Sequence, residues 1–198
     1  MADVSNPPER KLRLEQTGSF KTGRVPNTDA GGPLVDNNPA WPKRLARWPF
    51  KAENSSPLAW WRRLPPDAFR DAERLLLSTN LRGIRVLHGG DDLAAAMRGD
   101  AAAAIGAALD LMPIEEITLQ VDITLTALMR SALDGDAASA LVMAQIVGLT
   151  DLGHALTTEL AAAWLTFGRQ HSSEPHKFSE AQLALLTAFE ERNKGDDA

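Results

Sequence analysis

The sequence predicts an all-α protein, a short α-solenoid of antiparallel helix-turn-helix repeats behind an extended, largely disordered N-terminal arm. Three observations lead there. The stretch Gly99-Asp100-Ala101-Ala102-Ala103-Ala104-Ile105 returns 36 positions later as Gly135-Asp136-Ala137-Ala138-Ser139-Ala140-Leu141, and a period of roughly 20–50 residues marks stacked supersecondary units. From Asp67 onward, apolar residues recur with the 3.6-residue spacing of amphipathic helices. Residues 1–40 scatter Pro7, Pro8, Pro26, Pro33 and Pro39 among glycines and asparagines with few large apolar side chains, so they cannot bury enough surface to offset their ordering entropy. The implied domains are an arm, residues 1–66, and a helical repeat domain, residues 67–198.

Taken in order, residues 41–66 gather four of the five tryptophans, Trp41, Trp48, Trp60 and Trp61, between Lys43, Arg44, Arg47, Arg62 and Arg63. Five prolines in the same stretch forbid a long helix. Pro66 and Asp67 read as a helix start, with Phe69, Ala72, Leu75 and Leu76 on one face and a break at Asn80. Ile84-Arg85-Val86-Leu87 reads as a short strand or an extended connector. After Gly89-Gly90, Asp91 caps a short helix running to about Arg98. Asp100 and Asp136 each follow a glycine and precede an alanine run, where a carboxylate accepts the free amides of a first turn.

Val121, Leu125, Leu128, Met129 and Ala132 trace one helical stripe, and Leu156, Leu160, Ala163, Trp164 and Phe167 trace another. Ser179 and Gln182 stand in capping-box spacing for a last helix, with Phe178 and Leu183 as its hydrophobic staple. The total is six to seven helices.

Composition excludes several function classes. Cysteine is absent, so disulfides, thiolate metal sites and cysteine nucleophiles are ruled out. Residues 1–75 carry 13 Lys/Arg against 9 Asp/Glu and residues 76–198 carry 8 against 17. An acidic body disfavours nucleic acid as a partner, because few cations are present to release counterions. The first ten residues lack the apolar core of a secretory signal, and no apolar run reaches the roughly 18 residues of a membrane span. A cytoplasmic, soluble protein is the expectation.

The residues resemble the Sel-like branch of the tetratricopeptide superfamily. Its first helix opens with Gly-Asp-Ala, as do Gly99-Asp100-Ala101 with Ala107-Ala108 and Gly135-Asp136-Ala137 with Met143-Ala144, and, more loosely, Glu180-Ala181-Gln182 with Leu185 and Phe189. Its second helix carries an Ala-Trp-aromatic stretch, matched by Leu160-Ala161-Ala162-Ala163-Trp164-Leu165 and Ala127-Leu128-Met129-Arg130-Ser131-Ala132-Leu133. The match covers residues 91–190. The chain departs from the family pattern in lacking tyrosine, in its reduced turn glycines and in an insert over His171 to Lys177. The resemblance implies scaffolding of protein complexes, often in bacterial regulation or envelope processes.

Catalytic patterns are weak. His171 and His176 lack a third ligand at metal spacing. Asp91-Asp92 and Glu115-Glu116 are adjacent on helices and face apart. His88-Gly89-Gly90-Asp91 is not followed by the Lys-Ser/Thr of a phosphate loop. An enzyme would have to gather His88, Asp91 and His154. The expectation is a noncatalytic adaptor with no cofactor and no metal. Its partner is a protein, bound through Trp41, Trp48, Trp60, Trp61, Arg47, Arg62 and Arg63, residue types enriched at binding hot spots. Two alternatives stay open: the tryptophans fold back to cap the helical stack, or the chain is a subunit of a larger assembly over which residues 1–66 thread.

Overall fold

Helical periodicity continues into α-helices from Asp71 onward, and the proline-rich residues 48–66, with Trp48, Trp60 and Trp61, pack against them. The computed structural model describes residues 48–85 and 90–195, which lie within one unit, residues 44–198. The proline-rich stretch forms 3-10 turns at Ala52–Asn54, Pro57–Arg62 and Pro66–Ala68. Seven α-helices follow among the described residues: α1 Asp71–Gly83, α2 Gly90–Arg98, α3 Ala101–Asp110, α4 Leu119–Leu133, α5 Ala137–Leu149, α6 Thr157–His171 and α7 Pro175–Gly195. No strand occurs among them, and Ile84 continues from α1 as extended backbone. The expected boundary at residue 66 does not limit the core. Residues 48–66 contribute Trp60, Trp61 and Leu64 to the core.

The repeated Gly-Asp pair performs one local task twice. Gly99 and Gly135 take φ of +109° and +102°, a region that side chains other than glycine's strain to adopt. Gly99 N–H donates to Ala96 O and Asp100 N–H to Ala95 O; likewise Gly135 N–H donates to Ala132 O and Asp136 N–H to Ser131 O. This pair of bonds, spaced three and five residues back, closes the end of a helix in a Schellman motif. The same aspartates then open the next helix: Asp100 accepts from Ala103 N at 3.0 Å and Asp136 from Ser139 N at 2.6 Å. Each Gly-Asp doublet therefore stops one helix and starts another within two residues, turning α2 into α3 and α4 into α5.

Consecutive helices from α1 to α7 pack against each other, and α2 also touches α4, α3 touches α5, and α5 touches α7. Helices α5 and α6 share an extensive contact and run antiparallel through small residues. A Cβ on Gly168 would stand 3.0 Å from that of Ala140 and from the Phe178 ring, and one on Gly148 would stand 3.6 Å from that of Ala161. Small side chains at such positions let helix axes approach. Leu128, Leu160 and Trp164 fill the space between helices and are fully buried.

Helix α4 is enclosed almost all round, with Val121 and every residue from Ile123 to Leu133 buried. Neighbouring helices cover one side, and α1 with the Pro57–Arg62 turn covers another. Helix α1 departs from its expected register. The core side is Leu77 and Leu81, while Leu75 and Leu76, expected inside, are 69% and 52% exposed. Its start also moves: Pro66 and Asp67 lie in a 3-10 turn, and Glu73 closes the true N-terminus by accepting from Arg70 N–H at 3.0 Å. Asn80 does not break it, because its side-chain amide donates to Leu76 O and leaves the helix to run on to Gly83.

Helix α7 likewise begins earlier than its capping-box spacing suggests. Pro175 supplies a first-turn residue preset for helix, and Ser179 donates back to Pro175 O instead of capping. Phe178 is buried while Leu183 is exposed, so they form no staple.

Equilibrium urea unfolding tests the hinge geometry. Gly135→Ala, strained but sterically free, is expected to cost about 1–2 kcal/mol. Gly99→Ala should cost about 1 kcal/mol more, because its Cβ would stand 2.8 Å from the Arg130 guanidinium.

Candidate functional site

The tryptophan and arginine residues predicted to bind a partner are largely committed to the chain itself. Trp61 is fully buried, and its indole N–H donates to Asp122 Oδ1 at 2.8 Å. Arg62, its neighbour, reaches the other oxygen of the same carboxylate at 3.2 Å. Asp122 lies in the first turn of α4, where negative charge also favours the helix dipole. One turn later, Thr126 donates to Leu58 O at 3.1 Å. These contacts fasten the Pro57–Arg62 turn along α4.

The rest of the segment is held from its flanks. Trp60 meets Phe69 edge-on with centroids 5.8 Å apart, and its indole N–H points at the Ala52 and Ser55 carbonyls. Trp48 donates to Arg63 O at 2.7 Å, and the Arg63 guanidinium lies over the Phe50 ring at 5.9 Å. His154, between α5 and α6, has Nε2 2.8 Å from Arg62 O while Nδ1 accepts from Leu156 N–H. Those two partners assign the proton of the neutral ring to Nε2.

Trp60 and Trp61 thus have no surface to offer a partner, and Trp48, Arg62 and Arg63 are half-buried. Trp41 and Arg47, the remaining members of the predicted set, lie outside the described residues. Over residues 48–63 the segment covers α4 and does not stand free as a docking arm.

The histidine candidates are not brought together. His171 stacks on Phe167 at 4.0 Å with Nδ1 against Phe167 O, His176 faces Glu180 at 3.3 Å, and His154 is engaged as described. His88 lies outside the described residues. Among the described residues, no three His, Asp or Glu side chains are placed to hold a metal ion, and no helix is long and apolar enough to cross a membrane.

A cleft that sequence reasoning missed opens where α1 and α2 end. Leu81, Ile84, Ala94 and Met97 line it, Arg82 and Arg98 flank it, and its volume is about 240 Å³. Leu81 and Met97 are buried and both arginines are exposed. Neither arginine forms an ion pair among the described residues.

A third arginine, Arg130 of α4, is 6% exposed and donates to the last carbonyls of α2, Met97 O at 3.1 Å and Ala96 O at 3.2 Å. Burial pulls its pKa below the usual arginine range, Asp134 opposes that, and the positive charge of Arg82 adds to it. The signal for Arg130 was present in the sequence, as a lone charge inside the apolar run Leu128-Met129-Arg130-Ser131-Ala132-Leu133. Asp122 gave none, since a carboxylate in a first turn reads simply as a complement to the dipole.

Comparison with protein-family models, curated proteins and solved structures found no match to this chain.

Two predictions concern the segment. Asp122→Ala leaves the buried Trp61 N–H unpaired and should cost about 2–3 kcal/mol in urea unfolding, whereas Asp122→Asn, which keeps an acceptor for Trp61, should cost about 1 kcal/mol, as expected for a partly exposed ion pair. Shortening the chain is expected to divide sharply. A chain starting at residue 44 should retain a cooperative thermal transition, and one starting at residue 67, stripped of Trp60, Trp61 and Leu64, should lose it.

Proposed function

We propose that the protein is a noncatalytic adaptor that holds a protein partner on a short stack of Sel-like helical repeats. The observation that carries this reading is the Gly-Asp hinge, repeated bond for bond at Gly99-Asp100 and Gly135-Asp136. A hinge used twice at one spacing, joining helices that touch both their neighbours and their next neighbours, supports a repeat array. Arrays of this kind expose extended surfaces suited to recognition. The engagement of His154 and His171 by backbone carbonyls also leaves these rings occupied by structural bonds, which suits recognition better than bond-making.

A second reading, a subunit of a larger assembly, draws on residues 1–47, whose eight Lys/Arg against five Asp/Glu suit attachment to an acidic neighbour.

Affinity isolation from the native source distinguishes the two. The full chain and a chain starting at residue 44 are both used as bait. The adaptor reading expects one near-stoichiometric protein recovered by both baits; recovery by the full chain alone favours the assembly reading. Failure of either bait to retain any protein under crosslinking would remove the adaptor reading.

A further inference from the structure

We infer that the cleft between the ends of α1 and α2 receives an acidic peptide segment of a partner protein, with one bulky apolar side chain seated between Arg82 and Arg98. This inference rests on the adaptor reading and names the chemistry of its partner. Size is the first argument. A volume of about 240 Å³ falls below the roughly 300–1,000 Å³ of sites that enclose whole small molecules. It suits a side chain presented by a larger partner, and the lining of Leu81, Ile84, Ala94 and Met97 calls for that side chain to be apolar.

Charge is the second argument. The chain carries a net charge of −5, yet two exposed arginines stand at this cleft without an ion pair among the described residues. Cations left uncompensated beside an apolar cavity complement a carboxylate-bearing partner. Helix ends normally oppose this, since their carbonyls carry partial negative charge. Here Arg130 donates to the carbonyls of Met97 and Ala96 at the end of α2, which offsets their partial negative charge. Residues 1–47 are basic in sequence, and like charge argues against that segment as occupant.

The test uses the full chain and a fluorescein-labelled synthetic peptide in which glutamates flank a central leucine pair, read by fluorescence anisotropy. Saturable binding is expected, weakened at least about tenfold by Arg82→Glu with Arg98→Glu and to a similar degree by Ala94→Trp, which fills the cavity. Circular dichroism checks that both variants keep their helix content. Raising the salt concentration should weaken binding, and a peptide with alanines in place of the leucines should bind at least about tenfold less tightly.

Equal binding of a lysine-for-glutamate peptide, or indifference to either variant, overturns the proposal. So does sedimentation showing self-association that the charge reversal abolishes, which would make a second copy the occupant. Should the isolated partner stay bound to the doubly reversed chain, the adaptor reading stands and the cleft assignment falls. Should no partner be isolated, the peptide titration still decides whether the cleft binds.

Discussion

Helix α4 is buried on nearly every side, and a helix so enclosed depends on its packed neighbours for stability in water. Most of the architecture answers this requirement. Helices α3 and α5 cover part of it through the hairpins they form, and α1 with the Pro57–Arg62 turn covers what they leave open. Enclosure strands the few polar groups on α4, and each requires a partner. Asp122 receives Trp61 and Arg62, Thr126 donates to Leu58, and Arg130 donates to the end of α2. The polar groups therefore fix which elements cover the helix and in what register.

Arginine at helix ends is a recurring device in this chain. Arg130 meets the carbonyls that end α2, and Arg74 of α1 meets Leu133 O at the end of α4. In both cases a cation donates to carbonyls at a helix end and offsets the dipole there. The Gly-Asp hinge handles the same problem from within the chain. Through the hinge, α2 turns into α3 and α4 into α5 within two residues.

Recognition surfaces follow from what enclosure leaves uncovered. Trp60 and Trp61 are used up in the core, so a hot spot assigned to them by residue type alone points to packing. Among the described residues, the surfaces left open include the outward Leu75 and Leu76 of α1 and the apolar cleft flanked by Arg82 and Arg98. Residues of one class, arginine above all, thus divide between structural work inside and unpaired charge outside, and only their neighbours distinguish the two.

The sequence by itself determined the elements whose causes are local. The helices over 101–110, 119–133, 137–149 and 157–171 were legible because the carboxylate caps and the 3.6-residue stripes act within a turn or two of chain. It misplaced the buried side of α1, where Leu75, Leu76, Leu77 and Leu81 offer two apolar stripes and only the positions of α4, α2 and the Pro57–Arg62 turn select between them. Tertiary structure alone decided the burial of Trp60 and Trp61 and the existence of the cleft. The partner of Trp61 lies 61 residues away, and proline-rich chain has no period from which a buried side can be read. Burial of that segment is set by the shape of the surface it covers, and that surface exists only once α4 has packed.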